Sequence, residues 1–147
     1  ARLRETVQAL AAHGIPVCSH LGLLPQSVHK QGGYRVQGRD EAGALAMIED
    51  ASVLEAAGAD MLLLECVPAT LAAEISRAVD IPVIGIGAGP DVDAQVLVLY
   101  DMLGITPGKR PSFSHDFLAD GGDIPAAVAA YVQAVKGGRF PTAAHSF

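Results

Sequence analysis

Apolar residues in this chain alternate between two patterns, a helical spacing and short continuous runs. Residues 2–13 place Leu3, Val7, Leu10 and Ala11 on one helical face, and Gly14 follows as a stop signal. Residues 15–23, IPVCSHLGL, form an apolar run in which Pro16 suits only the start of a strand. Residues 24–40 are polar and Gly-rich without periodicity, so they read as an active-site or interface loop. Residues 41–57 predict a helix with Leu45, Ile48, Val53 and Ala56 near one face and Gly58 at its end. Residues 61–66, MLLLEC, are a continuous apolar run, the mark of a parallel strand buried on both faces. Pro68 opens a helix that reaches about Val79. Residues 81–87, IPVIGIG, repeat the Ile-Pro-Val opening and predict another buried strand. Residues 96–101, VLVLYD, lean towards a strand, with a helix left open. Residues 124–135 predict a last helix with Pro125 near its start.

Buried strands alternating with amphipathic helices give a parallel α/β sheet. Two architectures fit: a small open doubly wound sheet, or half of a closed (β/α)₈ barrel, which in full needs about 250 residues. Both bind ligands at the C-terminal ends of their strands. That is where this sequence puts its polar residues. The apolar runs end in Ser19-His20, in Glu65, in Gly87-Ala88-Gly89 and in Asp101. Unpaired charge is disfavoured inside an apolar strand, so these ends converge on one pocket. Glu65 suits a general base; it also fits a structural role, capping the next helix or pairing with an Arg. His20 suits a substrate hydrogen bond, acid–base work or metal ligation; it also fits a satisfied core histidine. Asp101 fits helix capping as well as function. Ser19 cannot pair with His20 in a triad, because neighbours on a strand point to opposite faces.

The glycines of GIGAG (85–89) lack nucleotide-loop spacing and read as sites where a ligand or another backbone comes close. His29 lies in the long loop, and His13, His115 and His145 read as surface residues. The net charge of −6 and ten scattered Lys and Arg exclude a nucleic-acid stripe, so small molecules are the expected ligands. Cys18 and Cys66 have neither zinc nor disulfide-framework spacing. As buried free thiols they suit a reducing, cytoplasmic setting. No apolar stretch approaches the ~20 residues of a membrane span, and no signal-peptide pattern is visible.

The segments IPVCSHLGLLPQSV (15–28), GGYRVQGR (32–39), AGADMLLLECVP (57–68), IPVIGIGAG (81–89) and FPTAAHSF (140–147) resemble the ketopantoate hydroxymethyltransferase family over essentially the whole chain. The resemblance implies a (β/α)₈ TIM barrel of the phosphoenolpyruvate/pyruvate superfamily. In it, residues 1–147 form the C-terminal half of one domain and supply roughly strands 5–8. It implies transfer of a one-carbon unit from 5,10-methylenetetrahydrofolate to 3-methyl-2-oxobutanoate, giving 2-dehydropantoate on the route to pantothenate and coenzyme A. It makes Glu65 the proton acceptor and His20 an active-site histidine. It also implies Mg²⁺, whose family ligands lie in D-S-L-G, D-L-P and K-x-E-G-G segments that this chain lacks. The expected partners are therefore an N-terminal half and, as in the family, further copies in a homodecamer. Ala94 and Tyr100 depart from the family's usual Gly and His, so Asp101 receives no role. Two other readings remain: another Mg²⁺-dependent 2-oxo-acid lyase or mutase of the same superfamily, and a non-catalytic α/β assembly module.

Overall fold

A computed structural model describes residues 3–30 and 33–147. Arg2, expected in the first helix, and Gly32 of the loop segment lie outside the described residues. The elements in chain order are α1 (Arg4–Ala12), β1 (Cys18–Gly22), α2 (Glu41–Ala56), β2 (Met61–Glu65), α3 (Ala69–Ala78), β3 (Val83–Ile86), β4 (Ala94–Gln95), α4 (Leu99–Met102), α5 (Phe117–Gly121) and α6 (Ile124–Lys136). Single 3₁₀ turns cover Pro25–Ser27 and Ala143–His145.

The four strands form one parallel sheet in the order β1-β2-β3-β4. The order never reverses, whereas open doubly wound sheets turn back at a switch point. The sheet is two-sided because its apolar runs alternate between two cores. Leu62, Leu64 and Val83 point to the helix layer, where they pack with Ala51 and Leu54 of α2 and Leu71, Ala72 and Ile75 of α3. Full burial of each such leucine or isoleucine contributes roughly 1.5–3 kcal/mol. Ile86 and Leu63 point the other way, into a second cluster with Leu97, Met102, Phe117, Tyr131 and Phe140.

Carboxylates tie down the sheet's N-terminal edge. Asp60 Oδ2 accepts from Val17 N at 2.8 Å, and Asp93 Oδ2 from Val83 N at 2.8 Å. Glu55 Oε1 accepts from both Asp80 N (2.6 Å) and Ile81 N (3.1 Å), where Pro82 breaks the regular approach to β3. Helix starts follow the same logic: Asp40 accepts from Gly43 N at 2.9 Å and Asp123 from Ala126 N at 2.8 Å.

Four expectations need correction. Residues 96–101 are not a strand: β4 is the pair Ala94–Gln95, and Val98 is the extended residue that opens α4. Of the run Val96–Leu97–Val98–Leu99 only Leu97 is buried, so its apolar density reflects no strand core. In α2 the inward face is Ala44, Met47, Ile48, Ala51 and Leu54; Leu45 is 61% exposed. Many small apolar residues on α2 left several faces equally plausible from spacing alone. Cys18 is exposed, because it heads the sheet face opposite to α2 and α3, while Cys66 is buried as expected. In α1 only Val7 is buried, and Leu3 and Leu10 stay exposed.

Replacing Glu55 with Ala removes the acceptor of one exposed and one half-buried backbone N–H and is expected to cost about 0.5–1.5 kcal/mol. A lower urea midpoint at unchanged m-value checks this; an unshifted midpoint contradicts it.

Candidate functional site

Strand register brings the two sequence-predicted residues together. His20 pairs with Leu63, Gly22 with Glu65, and Glu65 with Ile86, so His20, Leu63, Glu65 and Ile86 share one face. His20 Nε2 lies 3.2 Å from Glu65 Oε2, and the two side chains are 27% and 15% exposed. The approach is too oblique for a hydrogen bond: His20 Nε2 is buried with no hydrogen-bond partner among the described residues. A ring nitrogen left this way is available to a bound molecule. Ser19 points to the opposite face and is 7% exposed, so it takes no part.

The backbone around Glu65 is tightly crossed. Leu23 N–H donates to the Glu65 carbonyl oxygen at 2.8 Å. Gln37 N–H, from the long loop, donates to the Cys66 carbonyl oxygen at 2.9 Å. Cys66 N–H donates to Ile86 O at 2.9 Å and Val67 N–H to Gly87 O at 3.1 Å. Cys66 itself sits at φ 51°, a left-handed conformation uncommon for any residue but glycine. The loop therefore folds back over the end of β2. A cleft of about 340 Å³ opens beside it, lined among others by His20, Gln37, Asp40 and Met47. Glu65 does not line that cleft.

Glycines at the end of β3 serve close packing. A Cβ on Gly87 would lie 2.8 Å from the Phe113 ring, and one on Gly89 would lie 2.4 Å from Ala69 Cβ. Gln95 Nε2 steadies this turn by donating to Gly89 O at 2.9 Å. Asp101 is buried and accepts from Thr106 Oγ1, which is a structural placement. His29 is exposed.

The C-terminal tail, the FPTAAHSF segment of the family resemblance, reaches the same end of the sheet. The Phe147 carbonyl oxygen accepts from Ala69 N, at the start of α3, at 2.9 Å. His145 and His115 are not plain surface residues. His115 Nε2 lies 2.6 Å from Asp120 Oδ2, and its ring stands edge-on to Phe117 at 4.8 Å. His145 packs on Phe140 at 4.9 Å, and its Nδ1 accepts from Thr142 N at 3.2 Å. Thr142 Oγ1 lies 2.9 Å from the same atom. Since a backbone N–H only donates, His145 is neutral with its proton on Nε2. Partial burial, then His115, then the Arg110 guanidinium hold its pKa below the ordinary value.

Among the described residues no group of three or more His, Cys, Asp or Glu could hold a metal ion. Glu65 and His20 offer one oxygen and one nitrogen, whereas Mg²⁺ takes octahedral oxygen ligands. The residues present do not fit a Mg²⁺ site, and no step below runs through a metal. Among the described residues no helix is long and apolar enough to cross a membrane.

These features define a parallel α/β protein with a candidate acid–base site at its strand ends. The family model for ketopantoate hydroxymethyltransferase matches residues 1–143, and the chain belongs to that family. It is 65% identical over 143 residues to the 3-methyl-2-oxobutanoate hydroxymethyltransferase of Alkalilimnicola ehrlichii, covering 97% of this chain and 52% of that relative. Its identity to the same-named proteins of Marinobacter nauticus and Stutzerimonas stutzeri is 62%, covering 99% of this chain and 55% of each relative. The chain spans about half the length of the curated relatives it matches.

Two outcomes follow. Burial, with a smaller contribution from the Glu65 charge, pushes the Cys66 thiol up to about 12. Because the thiolate is the reactive form, Cys66 is expected to stay unlabelled by iodoacetamide at about pH 8 until the protein unfolds; native labelling read by mass spectrometry contradicts this. For His145, a lowered folded-state pKa means that the unfolded chain takes up its proton first as pH falls. Tail anchoring is therefore intact above the ordinary value of 6.5 and weakens as pH drops below it. Hydrogen exchange at 142–147 is expected to rise on acidification beyond the intrinsic rate change, and His145→Asn, which keeps an acceptor without titrating, is expected to abolish that rise.

Proposed function

We propose that this chain is the C-terminal half of a (β/α)₈ barrel, residues 1–147 supplying strands 5–8, and that it works with the N-terminal half. In that assembly it transfers a hydroxymethyl group to 3-methyl-2-oxobutanoate, with 5,10-methylenetetrahydrofolate as the one-carbon donor, giving 2-dehydropantoate for pantothenate synthesis. The observation that carries this reading is the 3.2 Å approach of His20 Nε2, on β1, to Glu65 Oε2, at the end of the neighbouring β2. The family match and the unreversed strand order support it.

The chemistry needs a base for the proton on the carbon next to the keto group. Glu65 takes that proton and an enolate forms. Water cleaves the two C–N bonds of the donor's methylene, releasing it as formaldehyde with tetrahydrofolate as leaving product. The enolate carbon adds to the formaldehyde carbon, whose oxygen takes up a proton to become the new hydroxyl. His20, whose Nε2 has no hydrogen-bond partner among the described residues, holds a substrate oxygen beside the carboxylate. The Gln37 segment covers the end of β2. Metal ligands are assigned to the segment outside this chain.

In the complete enzyme, Glu65→Gln is expected to lower kcat by about 10²–10⁴-fold, the usual range for losing a general base. Steady-state assay of 2-dehydropantoate formation checks this, with circular dichroism as the folding control. Unchanged turnover supports a non-catalytic assembly role instead.

A further inference from the structure

The end of β1 crosses the end of β2 more closely than any side chain allows. Gly22 sits at φ 90°, in register with Glu65. A Cβ built on it would lie 2.2 Å from the Glu65 carbonyl oxygen, 3.1 Å from the Glu65 carbonyl carbon and 2.8 Å from Val67 Cγ2. The first two are backbone atoms, so no side-chain rotation makes room. Immediately after the crossing, Leu23 N–H donates to that same Glu65 oxygen at 2.8 Å, and the Leu23 side chain is 2% exposed. On the far side Cys66 is held at φ 51° by its bonds to Gln37 and Ile86. Glu65 is thus gripped at its own carbonyl by β1 and at the next residue by the loop and β3.

We infer that Gly22 is a positioning residue for Glu65: its bare Cα lets β1 clamp the Glu65 main chain and so sets where the carboxylate stands against His20. His20 is two residues earlier on the same strand face, so one strand end fixes both partners of the 3.2 Å contact. An added methyl must push the Glu65 peptide away, and the carboxylate moves with it. Displacement of a reacting group by about 1 Å lowers turnover by ~10²-fold. The inference rests on Glu65 acting as the general base.

The test uses the complete enzyme and five variants. Gly22→Ala is expected to lower kcat by ~10²-fold with KM within about threefold, the signature of a lost transition-state interaction rather than lost binding. Leucic acid at position 23, which replaces only the N–H donor by an ester oxygen, gives the same pattern more weakly and covers the case in which Gly22→Ala fails to fold. Gly58→Ala is the strain control. It has φ 99° and a Cβ contact of 2.6 Å to Ala11, at the opposite end of α2 from Asp40, and is expected to lower the melting temperature while leaving kcat intact. The double variant G22A/E65Q is expected to be no slower than E65Q, because both changes act through one carboxylate. Additive losses in the double variant overturn the inference, as does wild-type kcat in both the Gly22→Ala and the ester enzymes. A fully active E65Q enzyme instead overturns the general-base reading beneath it, which separates the two failures.

Discussion

A parallel strand packed on both faces can carry a charged side chain only where its neighbours end. Everything functional in this chain follows from that restriction. The leucines of β2 are committed to the helix layer on one side and to the aromatic cluster on the other. Glu65, the last residue of β2, is the first position with room for a carboxylate. His20, by contrast, is the middle residue of β1, where the sequence pattern had put the end of the apolar run; it lies on the same sheet face as Glu65, and parallel register brings the two within contact distance. The site is a by-product of how a parallel sheet disposes of polarity, refined by the close crossing at Gly22.

The opposite edge shows the complementary rule. There the strands begin, and Asp60, Glu55 and Asp93 spend their oxygens on backbone N–H groups of the incoming chain. Acidic residues at the strand starts are satisfied by backbone and give stability. Among the described residues, the carboxylate at the strand end makes an oblique contact with an imidazole. The same residue types thus divide between structure and the proposed chemistry by which end of the sheet they occupy.

Much of this was legible in the sequence. MLLLEC and IPVIGIG announced buried parallel strands because burial on both faces erases polar alternation, and the polar punctuation at Glu65 and His20 marked the site. What stayed hidden depends on single contacts rather than on pattern. Ala94–Gln95 is a strand because it meets β3 just past the Asp93 tie, not because it is apolar, whereas the more apolar 96–99 leaves the sheet. Left-handed Cys66 has no sequence signature, since that conformation is imposed by bonds to Gln37 and Ile86. The capping box of Thr142 and His145 escaped notice because histidine replaces the usual Glu or Gln at its third position. Gly22 did carry a signal: glycine inside a strand marks a close backbone approach.

The central claim is that Glu65 removes the proton beside the keto group. Solvent-deuterium exchange into 3-methyl-2-oxobutanoate by the complete enzyme, followed by NMR without any one-carbon donor, isolates that step. The account predicts rapid exchange by the native enzyme and almost none by Glu65→Gln. Equal exchange by the two would contradict it.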